Sequence, residues 1–66
     1  MNKNQKIALA EKDLTVKTLG FKLDLHPTYI SFLLTGTLKP PKTRKRICEI
    51  LEKPESYLWP KDKIDS

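Results

Sequence analysis

The sequence has few of the residues that build disulfides, metal sites or membrane spans. It contains one cysteine, Cys48, and one histidine, His26, so no intrachain disulfide can form and a zinc site lacks ligands. No apolar run approaches the roughly 20 residues that a membrane helix needs. The first dozen residues are polar and charged, unlike a signal peptide. We therefore expect a cytoplasmic protein that has no cofactor or metal and does not enter a membrane.

Aromatic residues are also scarce in this chain of 66 residues. They are Phe21, Tyr29, Phe32, Tyr57 and Trp59. A chain this short buries only about 60% of its unfolded surface, which suffices for one small core but not for an added deep pocket. The sequence shows no carboxylate pair and no nucleophile with a base in a catalytic pattern. We expect one domain that is not an enzyme and has no small-molecule substrate.

Positive charge is in excess and is unevenly distributed. The chain has 13 Lys and Arg against 8 Asp and Glu, a net charge of +5. Residues 39–46 (KPPKTRKR) hold only cationic charges, whereas acids and lysines nearly balance over residues 52–66. A small basic domain with such a local patch favours a polyanionic partner such as nucleic acid.

Apolar spacing is helical throughout, and no segment alternates as a strand would. The spacing predicts an all-α fold, a compact bundle of about five short helices. A cap at Asn2 or Asn4 starts the first helix, which has Ile7, Ala10 and Leu14 as its inward positions. The other helices are predicted at 16–23, 27–35, 41–52 and 54–58, within a domain at 1–60 that is followed by a solvated tail at 61–66.

Residues 16–35 carry a pattern typical of two helices that cross steeply across a short turn. Gly20 stands where the two backbones approach, and Asp24 stands where the turn needs an unusual backbone conformation. The apolar residues expected between the helices are Leu19, Leu23, Leu25, Ile30 and Leu33. With the basic loop that follows, the pattern favours a DNA-reading helix-turn-helix over an ordinary helical hairpin, which would share the same spacing.

The stretch from Leu14 to Trp59 resembles the lambda-repressor-like (Cro/repressor, or XRE) helix-turn-helix domains. The matching segments are LTVKTLGFKLDL, HPTYISFLLTG and KTRKRICEILEKPESYLW. The ending PESYLWP after RKRICEIL is also similar to the small Ner/Nlp-like phage regulators, which close on a comparable Trp-Pro. Two departures are Asp24, where the family usually has Gly, and Phe32, where it commonly has a polar residue. The resemblance implies a lambda-repressor-like fold and a transcription regulator of the repressor type that binds double-stranded DNA in a bacterial or phage-infected cell.

Carried over residue by residue, the resemblance implies that the helix at 27–35 lies in the major groove. Pro27, Thr28 and Phe32 then face base edges, and Ser31 lies beside them. Thr28 can exchange hydrogen bonds and touch a thymine methyl. Phe32 either reads thymine methyls by apolar contact or folds over the loop near Leu38. Because none of these residues is Arg, Asn or Gln, we expect sequence-biased rather than stringent recognition, with DNA shape contributing.

Helix starts and cationic side chains supply the expected phosphate contacts. The N–H groups near Thr15 to Lys17, and those at the start of the third helix, are predicted phosphate sites. The resemblance adds the loop from Thr37 to Lys39 and places Lys42 near the minor groove. The cationic candidates are Lys17, Lys22, Lys39, Lys42, Arg44 and Lys45.

Two partner arrangements remain open besides a monomer on duplex DNA. A single domain contacts about half an operator, so a homodimer that forms only on DNA is one arrangement, although no dimerisation helix is visible. Alternatively, the fold is a protein-interaction module of the antirepressor or antitoxin kind. That module would use Phe32 and Leu38 as anchors, and its basic segment would be incidental.

Overall fold

The computed structural model describes residues 1–60, which form five helices and no strand. The helices are α1 (Lys3–Glu11), α2 (Val16–Leu23), α3 (Pro27–Thr35), α4 (Pro41–Leu51) and α5 (Glu55–Leu58). The predicted all-α bundle of about five short helices is therefore confirmed. The tail predicted at 61–66 lies outside the described residues.

Helix α1 begins at a reciprocal cap made by Asn2 and Gln5. The Asn2 side chain accepts a hydrogen bond from the Gln5 backbone N–H at 2.8 Å, and the Gln5 side chain accepts one from the Asn2 N–H at 3.1 Å. This pattern satisfies two backbone donors that a helix start otherwise leaves open. Of the two predicted caps, Asn2 and Asn4, the structure therefore has Asn2.

The predicted inward face of α1 is wrong at Ile7 and Ala10, whereas Leu14, which follows the end of the helix, is partly buried against the core. Ile7 is 38% exposed and Ala10 is exposed, while Gln5, Ala8 and Leu9 are buried. The three buried residues are spaced i, i+3 and i+4, so they share one side of the helix, which is rotated around the axis from the predicted side. Counting only apolar residues hides this face, because the polar Gln5 is buried through hydrogen bonds to other elements.

Helices α2 and α3 have the predicted bounds, because local signals set both ends. Thr15 caps α2 by accepting a hydrogen bond from the Thr18 N–H at 3.2 Å. Asp24 ends α2 in the left-handed conformation, with φ 59°, and Gly36 ends α3 with φ 88°. His26 caps α3 by accepting a hydrogen bond from the Thr28 N–H through Nδ1 at 3.1 Å.

Gly20 lies at a close approach between α2 and the turn that leads into α3. A Cβ built at this position would lie 2.6 Å from the carbonyl oxygen of Leu25 and 3.5 Å from Cγ1 of Ile30. The first distance is too short for any side chain, so the crossing of the two helices requires glycine. The role predicted for Gly20 is therefore confirmed.

All five helices or their ends contribute to one core. Four of the residues predicted between α2 and α3 are buried in it, and the fifth, Leu25, is partly buried against it. Helix α4 ends at Leu51, one residue before the predicted end, since Glu52 adopts the left-handed conformation with φ 58°. The core residues are Ala8, Leu9, Leu19, Leu23, Ile30, Leu33, Leu34, Ile47, Leu51, Leu58 and Trp59.

Candidate nucleic-acid interface

The outer side of α3 is open to solvent. Thr28, Ser31 and Thr35 are exposed, and Phe32 keeps 48% of its surface accessible. The opposite side, formed by Ile30, Leu33 and Leu34, is buried in the core. Ile30 and Leu33, predicted to lie between the helices, are thus inward. Thr28 and Phe32, predicted to face base edges, share the accessible side with Ser31. Pro27, at the helix start, is partly buried.

The start of α3 offers fewer backbone donors than the sequence suggested. Pro27 has no N–H, and the N–H of Thr28 is already bonded to Nδ1 of His26. Capping by His26 competes with an anion for the Thr28 N–H, and the phosphate site at this helix start stays a prediction. At the start of α2, the capping bond engages the Thr18 N–H, while the N–H groups of Val16 and Lys17 have no partner within the helix.

Two side chains from other elements bind the carboxyl end of α3. The indole Nε1 of Trp59 donates to the carbonyl of Leu33 at 2.8 Å. The side-chain amide of Gln5 donates to the carbonyl of Leu34 at 2.8 Å and to that of Leu58 at 2.7 Å. The last carbonyls of a helix lack partners within it, so these donors tie α3 to α1 and to the residue after α5.

The loop after α3 presents polar groups and packs its apolar residue inward. Thr37 and Lys39 are exposed, and the hydroxyls of Thr35 and Thr37 lie 3.1 Å apart. Leu38 is partly buried against the core. The expectation that Leu38 is an exposed anchor for a protein partner is therefore corrected.

Exposed cations lie on the elements before and after α3. Lys17 lines a shallow groove together with His26 and Pro27 at the start of α3. Lys39 is in the loop that leaves α3. The exposed residues of the predicted cationic set are Lys17, Lys22, Lys39, Lys42 and Lys45.

Arg44, also predicted to contact phosphate, is instead 3% exposed. Its guanidinium carbon lies 4.2 Å from the centre of the Trp59 ring, and its Nη1 lies 3.2 Å from Oε2 of Glu55. The prediction for Arg44 is corrected because the helical period places it on the same side of α4 as the buried Ile47 and Leu51. That spacing is visible in the sequence and could have identified Arg44 as inward.

Acidic side chains form ion pairs at the carboxyl ends of α1 and α4. Glu52 pairs with Lys12 at 2.9 Å, and Glu11 pairs with Lys53 at 3.1 Å. The hydrogen bond from Lys12 holds the pKa of the Glu52 carboxyl below its usual range. These pairs fasten the carboxyl ends of the two helices to each other.

Sequence reasoning overlooked an exposed aromatic residue, Phe21, which is 78% exposed on α2. It borders the groove that Lys17, Gly20 and Pro27 also line. Phe21 stands two residues from Leu19 and from Leu23, both inward, so the helical period turns it about 200° away from each of them. This angular offset is the sequence signal that could have identified Phe21 as exposed.

Comparisons with family models, curated proteins and solved structures gave no match. The resemblance to lambda-repressor-like domains thus stays a prediction from the residues. Within residues 1–60, no helix has the length and apolar character to cross a membrane. The same residues contain no cluster of three His, Cys, Asp or Glu side chains that suits a metal ion.

Proposed function

We propose that this protein is a helix-turn-helix transcription regulator that binds double-stranded DNA with the outer side of α3 in the major groove. The observation that carries the proposal is an accessible polar helix side, including Thr28 and Ser31, on a helix whose opposite side is buried. Its neighbouring segments bear exposed lysines. A helix presented in this way can contact base edges while cations beside it contact phosphates.

Base recognition in this proposal uses small polar groups and one aromatic ring. Thr28 and Ser31 can donate or accept hydrogen bonds at base edges, and the Thr28 methyl can touch a thymine methyl. Phe32, half exposed on the same side, suits apolar contact with thymine. Because bidentate pairs are absent from this set, discrimination between sequences is modest, and DNA shape contributes to it.

Phosphate contacts in this proposal come from both flanks of α3. Lys17 and Lys22 on α2 supply one flank, together with the helix start at Thr15. On the other flank, exposed residues of the loop and of α4 contribute: Thr37, Lys39, Lys42 and Lys45. Two copies on adjacent half-sites would extend the interface over an operator.

Fluorescence anisotropy on two duplexes tests the proposal. One duplex is selected from a random pool by binding to the protein, and the other has mixed sequence. We expect the wild type to prefer the selected duplex. Thr28→Ala should weaken binding to the selected duplex by about 1 kcal/mol or more and leave mixed-duplex binding nearly unchanged. Lys42→Ala should weaken both, since phosphate contacts carry no sequence information.

Two results would count against the proposal. Equal affinity of the wild type for both duplexes at physiological salt would remove the sequence-biased regulator. Absence of salt-dependent binding to either duplex would remove DNA as the partner.

A second candidate function is a protein-interaction module, which the exposure of Phe21 favours. The Phe21 side chain is 78% exposed, and aromatic residues are enriched at protein contacts. In this alternative, Phe21 and Phe32 replace the predicted pair of Phe32 and Leu38. Loss of partner binding in Phe21→Ser, with DNA affinity unchanged, would support it.

A further inference from the structure

The two ends of α3 are held by different parts of the chain. At the amino end, Gly20 permits the close approach of α2 to the turn, where a Cβ would lie 2.6 Å from the Leu25 carbonyl. At the carboxyl end, the donors come from Gln5 on α1 and Trp59 after α5. Both donors therefore lie outside the two helices that form the proposed DNA-reading unit.

Both the nitrogen and the oxygen of the Gln5 side-chain amide form hydrogen bonds. The residue is completely buried, and its Nε2 donates to the carbonyls of Leu34 and Leu58. Its Oε1 accepts from the Asn2 N–H at 3.1 Å, as part of the cap of α1. A buried side chain with all of these bonds made has one stable orientation, so it fixes the distance from α1 to the last turn of α3.

Trp59 is held as firmly by groups around its ring. The Arg44 guanidinium covers the ring at 4.2 Å from its centre, and the Glu55 carboxylate binds Nη1 of Arg44 at 3.2 Å. Movement of the ring away from the Leu33 carbonyl would therefore break its contact with Arg44. The buried arginine, which sequence reasoning assigned to phosphate, serves this support instead.

We infer that Gln5 and Trp59 are positioning residues that set the tilt of α3 and thereby its discrimination between DNA sequences, without touching DNA. This inference rests on the proposed DNA-binding function. Base-edge contacts tolerate displacements of only about 0.5 Å and 10–20°, whereas charge contacts with phosphates tolerate more. Releasing the carboxyl end of α3 should thus impair sequence discrimination and spare general DNA affinity.

The test compares Trp59→Phe and Gln5→Met with the wild type on the selected and mixed duplexes. Trp59→Phe keeps an aromatic ring beneath Arg44 but removes the N–H donor, and Gln5→Met keeps the length of the side chain but removes its amide. Each variant is measured at a temperature where circular dichroism shows full helicity. We expect the ratio of the two affinities to fall about three- to tenfold, with mixed-duplex affinity and its salt dependence retained.

Asn4→Ala is the matched control. The Asn4 side chain donates to the Tyr57 carbonyl at 2.9 Å, so it also joins α1 to α5 but does not touch α3. Its loss should leave the affinity ratio at the wild-type value. If the affinity ratio fell only because of a general loss of stability, Asn4→Ala would lower it as much as the other two variants do.

The outcomes are distinguishable. If the wild type does not prefer the selected duplex, the proposed function fails, and this inference fails with it. If the wild type does prefer the selected duplex, and Trp59→Phe and Gln5→Met both keep the full preference, only the inference is overturned.

If Trp59→Phe and Gln5→Met do not fold, the wild type supplies the test. The measurement is hydrogen exchange of the indole N–H of Trp59, the sole tryptophan. We expect slower exchange on the selected duplex than on the mixed duplex. Equal exchange on the two would count against the inference.

Discussion

At position 20, a hydrogen atom occupies the place where any other residue carries Cβ. In Gly20→Ala, the new Cβ would lie 2.6 Å from the carbonyl oxygen of Leu25. That oxygen belongs to the backbone and cannot rotate away as the end of a side chain could. We expect a loss of about 1–3 kcal/mol in the free energy of unfolding, which outweighs the gain in helix propensity from alanine. Urea denaturation followed by circular dichroism measures this loss.

Gly36→Ala provides the comparison for that experiment. There the nearest atom to a new Cβ is Nη2 of Arg44 at 3.9 Å, so space is available and only the φ of 88° opposes alanine. Its cost should be about 1 kcal/mol. A smaller loss for Gly20→Ala than for Gly36→Ala would contradict the close approach.

Single residues were predictable where a local rule decides their role, and not where a distant partner decides it. Gly20 and Asp24 follow from the geometry of a short turn, and both predictions are confirmed. Gln5 and Arg44 are polar or charged residues in the interior, and their partners lie in other helices. Neither partner is identifiable from the sequence, although the helical spacing of Arg44 does show that it points inward.

Helix limits in this chain follow from caps, which are contacts between residues close in sequence. Thr15, His26 and Gly36 mark the ends of α2 and α3, so these two helices were predicted correctly. The face that α1 turns inward depends instead on what α5 and the end of α3 offer it. A pattern within nine residues does not contain that information.

The ion pair between α1 and α4 predicts a pH dependence of stability. The pKa of Glu52 is lowered in the folded state, chiefly by the hydrogen bond from Lys12. The carboxylate is therefore favoured by folding, so the contribution is present at neutral pH and is lost as the pH falls through the lowered pKa. We expect the melting temperature to fall on acidification, and to fall less in Glu52→Gln.

Thermal melts between about pH 7 and about pH 3 measure this difference. Because Glu52 is exposed, added salt should weaken the effect. An identical pH profile for wild type and Glu52→Gln would show that the pair contributes nothing to stability.

For the whole molecule, the arrangement of charge matters more than its total. Five exposed lysines remain in the predicted cationic set once Arg44 is assigned to the interior. If all five contact phosphate, the logarithm of the DNA association constant should fall with the logarithm of salt concentration at a slope of about −4 to −5. Lys42→Ala and Lys45→Ala should each reduce the size of that slope by about 1.

Lys12→Ala is the control for net charge, since Lys12 is paired with Glu52 at the far ends of α1 and α4. It removes the same charge and should leave the slope unchanged. Equal changes of the slope in all three variants would mean that DNA binding depends on the total charge of the protein and not on a defined surface.

The two ends of the described chain meet. Asn2 donates to the carbonyl of Leu58 and Asn4 to that of Tyr57, both at 2.9 Å. During synthesis, these asparagines are made before their acceptors, so the two hydrogen bonds form only after Tyr57 and Leu58 have followed. At roughly 5–20 residues added per second, several seconds separate the synthesis of the donors from that of their acceptors. The core that joins α1 to α5 can therefore close only after α5 has been synthesised.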